Sequence, residues 1–345
     1  MQIGNFTIDD KSPVFIIAEL SANHNGSLDN ALETVKAAKR AGADCIKLQT
    51  YTADTITLDY DKEDFVIKGT IWDGKKLHTL YQEAYTPWEW HEQIYHVAKE
   101  EGLICFSSPF DKTAVDLLES LHSPAYKIAS FEITDIPLIE YVASKGKPVI
   151  ISTGIAQQED IELALNACHR MGNYDIALLK CTSSYPAPIE EANMCMVKDL
   201  AGRYNVISGL SDHTMGSTVP IVATVFGAKI IEKHFIIDRA IGGPDASFSM
   251  NEEEFTAMVK AVREAEKATG IVDYKLTEKQ AKGRDFSRSL YIAEDIKAGE
   301  IFTDKNLRSV RPGFGLHPKY FSEIIGKKSN QNLEKGTPMS LNFIN

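Results

Sequence analysis

Val206-Ile207-Ser208-Gly209-Leu210-Ser211-Asp212-His213 and, further on, Ala228-Lys229-Ile230-Ile231-Glu232-Lys233-His234 are two apolar runs that each end in a histidine. Each reads as a strand buried on both faces of a parallel sheet, and the stretch between them has the pattern of an amphipathic helix. Successive strands of a parallel sheet finish at the same edge. The two imidazoles are therefore expected to meet over one point, as metal ligands or acid–base groups do. Taken singly, either histidine reads equally well as a helix cap or as a core residue with a satisfied ring.

The alternation of strand and helix runs outward from this pair. Apolar periodicity predicts strands over 14–20, 44–48, 103–107, 125–129, 148–152, 176–181, 206–210 and 229–234. It predicts helices over 28–41, 87–101, 111–121, 135–145, 158–171, 191–203, 216–226 and 251–269. Eight such units within about 270 residues is the count of a (β/α)8 TIM barrel. A doubly wound open sheet is the alternative, but it would usually carry a glycine-rich phosphate turn after its first strand, and none is present. Residues 50–80 follow the second strand as an insertion of the length used for lids and binding loops. The pattern breaks after Gly270. Residues 1–272 are thus expected to form the barrel domain and 273–286 a polar linker. Residues 287–345 are expected to form a compact tail with short alternating runs such as Ser289-Leu290-Tyr291-Ile292-Ala293. A tail of this size has a marginal core of its own, so it is expected to lean on another surface.

The chain has 345 residues, 43% of them hydrophobic and 25% charged, which is enough apolar material for a large core. A net charge of −11 argues against nucleic acid or an anionic membrane as partner while leaving room for a local basic pocket. The cysteines, Cys45, Cys105, Cys168, Cys181 and Cys195, are odd in number and contain no C-x-x-C. They read as reduced residues of a cytosolic protein. No apolar run approaches the ~20 residues of a spanning helix, and no basic segment leads into a long apolar one near the start. A cytoplasmic location is expected.

In a barrel, chemistry gathers at the C-terminal ends of the strands, and nearly every strand here ends in a functional side chain. In chain order these are Glu19, Lys47 with Gln49, Ser107-Ser108, Lys127 followed by Ser130 and Glu132, Ser152-Thr153-Gly154, Cys181 through Tyr185, Ser211 to His213, and Glu232 to His234. Lysines inside apolar strands, Lys47 and Lys127, are costly unless an anion pairs with them. Small hydroxyls and turn amides suit phosphate or carboxylate oxygens, although Ser107, Ser152 and Thr182 read equally as helix caps. Lys233 reads as a partner for Glu232 or Asp212. Two histidines near a carboxylate suit a divalent metal with open positions. Together these features point to a metal-assisted reaction on a phosphorylated anionic small molecule.

Several segments now resemble one family. They are Ala18-Glu19, Asn23-His24-Asn25-Gly26, Ala43-Asp44-Cys45-Ile46-Lys47-Leu48-Gln49, Ser107-Ser108-Pro109-Phe110-Asp111, Ser152-Thr153-Gly154, Gly209-Leu210-Ser211-Asp212-His213-Thr214, Glu232-Lys233-His234-Phe235 and Gly243-Pro244-Asp245. In this order they resemble the sialic acid synthase family, and the tail resembles its antifreeze-like (SAF) domain. The resemblance covers essentially the whole chain. It implies condensation of phosphoenolpyruvate with an amino sugar to give a nine-carbon nonulosonic acid and phosphate, with a divalent metal, Mn2+ or Mg2+, as cofactor. By motif, His213 and His234 would be the metal ligands. Lys47, Ser108, Lys127, Ser130, Ser152 and Ser211 would hold phosphoenolpyruvate. Gln49, Glu132, Tyr185, Asp245 and Arg311 of the tail would contact the sugar, and Glu19 would position or deprotonate the attacking water. A domain-swapped homodimer is also implied, with the tail of one copy reaching the barrel of the other.

The segment Lys180-Cys181-Thr182-Ser183-Ser184-Tyr185-Pro186-Ala187-Pro188 lacks the asparagine that sialic-acid members carry there. It resembles the pseudaminic acid synthase branch, whose acceptor is 2,4-diacetamido-2,4,6-trideoxy-L-altropyranose. An N-acetylneuraminate or legionaminate synthase is the alternative within the family. Outside it stand a metal-dependent hydrolase, which would usually carry His-x-His where this chain has Glu19-Leu20-Ser21, and a non-catalytic binding protein, which would not need so complete a polar crown.

Overall fold

The computed structural model describes residues 1–345. The chain divides into Met1–Gly270 and Ile271–Asn345. In the first unit a short antiparallel hairpin, β1 (Gln2–Ile3) and β2 (Phe6–Thr7), precedes the main sheet. β3 (Phe15–Glu19), β4 (Cys45–Thr50), β5 (Ile104–Pro109), β6 (Tyr126–Ile128), β7 (Val149–Ser152), β8 (Ile176–Cys181), β9 (Ile207–Asp212) and β10 (Ile230–His234) then pair in parallel in sequence order. β10 returns to pair with β3, which closes an eight-stranded barrel. Every strand falls on one of the eight expected runs, and a helix follows each on the outside, from Leu28–Arg40 to Glu252–Thr269.

The two-residue alternation of a strand sorts the side chains into three layers. Outward-facing residues such as Ile16, Leu48 and Ile231 pack against helix residues such as Val35, Ile94 and Phe255. Tyr126, Val149 and Leu178 do the same on the other half of the barrel. The inward-facing lower residues come from strands all around the barrel: Phe15, Cys45, Phe106, Ile150, Leu179 and Ile230 form one apolar cluster with Ile3 and Ile8. Only the interior can unite strands so far apart around the ring, so this cluster is the floor, with the N-terminal hairpin set into it. One step of two residues further along, the same faces present Glu19, Lys47, Ser108, Lys127, Ser152, Cys181, Ser211 and Glu232. Oil below and charge above is therefore written into the pleat.

Gly209 shows how tightly the floor is filled. A Cβ there would lie 2.4 Å from the Ile230 carbonyl oxygen and 2.7 Å from Leu179 Cδ2. Backbone cannot yield as a side-chain tip can.

The second unit has its own core. β11 (Ser289–Ile292) and β12 (Leu307–Val310) pair antiparallel, and Leu290, Phe302, Leu307, Ile324 and Met339 cluster beneath them. Where a plain linker is expected, a short helix, Glu278–Gly283, forms behind its Thr277 cap, followed by a turn of 3-10 helix at Arg284–Phe286. No helix of the chain is long and apolar enough to cross a membrane.

Gly209→Ala is expected to cost about 1–3 kcal/mol through overpacking, read as a lowered unfolding temperature of the full chain. An unchanged melting curve would show that β9 and β10 are not so closely packed.

Candidate functional site

The polar layer above the floor is a buried ring of charge. Glu19, Lys47, Lys127 and Glu232 are each no more than 4% exposed. Lys47 Nζ pairs with Glu19 and lies 3.3 Å from Glu232 Oε1, and Lys127 Nζ lies 3.5 Å from Glu232 Oε2. Lys47 also donates to Ser108 Oγ at 3.3 Å, and Ser211 Oγ donates to Glu232 Oε1 at 3.4 Å. Burial pushes Glu232 up, but Lys127 and Lys47 together outweigh it and hold the carboxyl below its ordinary value. Burial raises Glu19 despite Lys47. Burial lowers Lys127, whereas in Lys47 the two neighbouring carboxylates win and the ammonium is favoured. The layer thus holds two cations whose partners are both carboxylates able to give way to a stronger anion. Ser152 Oγ, buried beside them, has no partner of its own.

Glu232 stands among the strand-end residues read from the sequence, but no role in the site is assigned to it there. The signal was present, since Glu232 and His234 alternate onto one face of β10. Lys233 between them points the other way and pairs with Asp212 Oδ2 at 2.5 Å. Asp212 and Lys233 are direct partners in the β9–β10 register, and Asp212 also accepts from Thr214 N at 3.0 Å. This buried clip on the outer face fixes the two strand ends that carry the histidines.

His213 and His234 face each other with ring centroids 5.3 Å apart. His213 Nδ1 lies 2.9 Å from the Thr182 carbonyl oxygen. A carbonyl only accepts, so Nδ1 carries the proton and Nε2 is left with a lone pair in the neutral ring. His234 Nδ1 is buried and unpartnered, 3.9 Å from Asp245 Oδ2. Burial, reinforced by His213, holds His234 well below the ordinary histidine value. A buried ring nitrogen without a partner is costly unless something meets it. No cluster of three or more His, Cys, Asp or Glu suited to a metal is present. Two facing imidazoles, one with an unpartnered ring nitrogen, form a donor set that a divalent ion could join only with water or substrate oxygens at its other positions. Cys181 Sγ, another strand-end residue without an assigned role, lies 3.7 Å from His213 Nδ1.

Above the ring lies a cavity of about 340 Å³, within the size range of small-molecule sites. Gln49, Ser130, Glu132, Tyr185, His234 and Asp245 line it from the strand ends, and Ile67, Trp72, Leu80 and Tyr81 line it from the 50–80 insertion and the helix Leu77–Ala84 that ends it. Trp72 packs on Tyr185 with centroids 5.8 Å apart, and its Nε1 donates to the Pro244 carbonyl oxygen at 3.2 Å. Tyr185 packs in turn on His213, 4.4 Å between centroids. Ser183 Oγ donates to Ser130 Oγ at 2.8 Å. The backbone at Gly154 presses against this pair, where a Cβ would lie 2.2 Å from Ser183 Oγ. Glu132 Oε2 is buried with no partner, and burial raises its carboxyl to about 7.

The structure thus gathers Glu19, Lys47, Ser108, Lys127, Ser152, Ser211, His213 and His234 in the barrel, with Gln49, Ser130, Glu132, Tyr185 and Asp245 around the cavity. Arg311 belongs to the second unit, directly after β12. Ser107 is not a cap: its hydroxyl lies 2.6 Å from Thr50 Oγ1, which meets His91 Nε2 at 2.9 Å.

This arrangement has close relatives. Over 336 residues, 97% of each chain, the sequence is 52% identical to a pseudaminic acid synthase of Campylobacter jejuni. It is 46% identical to the pseudaminic acid synthase of Helicobacter pylori, over 96% of this chain and 98% of that one. The crystal structure of an N-acetylneuraminic acid synthetase from Leptospira borgpetersenii superposes with a TM-score of 0.73 at 29% identity, covering 82% of this chain and 94% of that one. Residues 34–274 match the NeuB family and residues 287–344 the SAF domain. With a polar crown of this composition on a barrel of this topology, the chain belongs to the NeuB family of synthases and carries a C-terminal SAF domain.

Proposed function

We propose that the chain is a pseudaminic acid synthase that condenses phosphoenolpyruvate with 2,4-diacetamido-2,4,6-trideoxy-L-altropyranose to give pseudaminic acid and phosphate. Likeness to two pseudaminic acid synthases along nearly the whole chain carries this reading. Two lysines beneath a cavity bordered by His234, which faces His213, support it.

Lys47 and Lys127 receive the phosphate and carboxylate of phosphoenolpyruvate, exchanging their carboxylate partners for stronger, charge-assisted hydrogen bonds. Ser108, Ser130, Ser152 and Ser211 supply the remaining donors. Tyr185, Gln49 and Asp245 orient the open-chain sugar so that the enol carbon faces its aldehyde, which removes much of the entropic barrier. A divalent metal, Mn2+ or Mg2+, held by His213 and His234 would supply Lewis-acid polarisation when bound. Glu132, protonated at neutral pH or below, gives a proton to the aldehyde oxygen as it becomes a hydroxyl. Glu19 orients the water that adds to carbon 2 and takes its proton; the tetrahedral species then expels phosphate, which carries away the proton of the new hydroxyl as that oxygen becomes the ketone. Arg311, reaching the sugar across a domain-swapped homodimer, and a cytoplasmic location, in keeping with five unpaired cysteines, belong to the same proposal.

Phosphate release with the diacetamido sugar should exceed that with N-acetylmannosamine by about 100-fold or more in kcat/KM, because the wrong sugar leaves buried polar groups unpaired. Comparable efficiency would overturn the acceptor while leaving the family intact. Chelation should abolish turnover, and His213→Ala and His234→Ala should each weaken manganese binding measured by calorimetry; full activity in excess chelator would remove the metal.

The Glu132 carboxyl responds to Lys127 and Asp135, and Tyr81 lies in its field. As the proton donor it works in its protonated form, so kcat/KM should decline as pH rises through about 7. Glu132→Gln should remove that limb together with about 100-fold or more of the rate. A variant that retains the wild-type pH profile would assign the proton elsewhere.

A further inference from the structure

Ser21 follows the first barrel strand and was singled out by no motif, yet its backbone has a φ of 45°. Glycine sits in this left-handed region freely, whereas an L side chain pays a steric cost there. The turn is tight: Asn23 N donates to the Leu20 carbonyl oxygen at 3.0 Å. Strain of this kind persists where the surroundings hold it, and here the surroundings are the site. Ser21 N donates to Glu19 Oε1 at 2.9 Å, Ser21 Oγ donates to Asp245 Oδ2 at 2.5 Å, and Gln49 Nε2 donates to Ser21 Oγ at 2.9 Å. Ser21 is 5% exposed and lines the cavity.

The hydroxyl has one proton and gives it to Asp245. Toward Gln49 it can therefore only accept, so the Gln49 amide must turn its NH2 group to Ser21. The second N–H of that group points to Glu19 Oε1, 3.4 Å away. Gln49 Oε1 makes no hydrogen bond within the protein and is left as the acceptor at the cavity wall.

We propose that Ser21 is a positioning residue for acceptor specificity: its strained backbone and single hydroxyl lock Gln49 and Asp245 so that Gln49 presents a carbonyl oxygen to an N–H or O–H donor on the sugar. The proposal rests on the synthase reading above. Without the hydroxyl, only the long 3.4 Å contact to Glu19 Oε1 orients the amide, so flipped rotamers that present NH2, which repels an acetamido N–H, become populated.

The test uses the full chain as Ser21→Gly and Ser21→Ala. The first removes hydroxyl and strain together, and the second removes the hydroxyl alone. Both should raise the KM for the sugar about tenfold, the scale of one well-placed hydrogen bond, and change that for phosphoenolpyruvate by less than about twofold. Ser21→Gly should also melt above Ser21→Ala, which separates the strained backbone from the lost contact. An unchanged sugar KM in both, or an equal rise for both substrates, overturns the proposal. A wild-type chain that releases no phosphate with these substrates overturns the synthase reading instead. Crystal structures of the variants then still decide on Ser21: Gln49 turned or Asp245 displaced supports it, and both side chains unmoved overturns it.

Discussion

Everything at this site depends on keeping four ionised or ionisable side chains in a closed barrel away from water. Taking Lys47 or Lys127 out of water alone would cost several kcal/mol. Glu232 meets both, Glu19 meets Lys47, and the ring is tolerated because each charge has an opposite within reach. The arrangement is balanced without being inert. A carboxylate shared between two ammonium groups can be outcompeted by a phosphate, which offers more acceptor oxygens to the same cations. The charge pairs that make burial of these lysines tolerable are the ones that the proposed substrate would rearrange.

The rest of the architecture protects that balance. The apolar floor and the N-terminal hairpin exclude water from below. The Asp212–Lys233 clip fixes the neighbouring strand ends from outside. The insertion covers the site from above, with Trp72 bridging Tyr185 and Pro244. Each element was chosen by alternation: one residue inward, one outward, and a polar side chain on the inward face only at the last step before the loop.

The barrel was legible in the sequence because its strands are short, nearly continuous apolar runs separated by helical patterns, and each run ends where a polar inward residue begins. The candidate residues were legible for the same reason. Partnerships were not. Alternation tells which face Glu232 occupies, but its pairing with Lys47 and Lys127 needs the ring to close across strands far apart in the chain. Ser21 was hidden differently: its importance lies in a backbone angle, and a serine in a turn carries no sign of that angle in its identity. The tail was expected to be a linker and a compact unit, yet the segment before it gained a capped helix, since Thr277 and Gln280 form reciprocal cap bonds.

The sealed floor has a consequence for traffic. A barrel plugged at one end has a single doorway, and behind it the cavity lies over the charged layer. A compound seated on Lys47 and Lys127 lies beneath one seated against Tyr185 and Asp245. On the proposed function, phosphoenolpyruvate would therefore have to enter before the sugar, and phosphate would have to pass the level of the sugar acid on its way out. The geometry of the plug would thereby set an order in time that no single residue encodes.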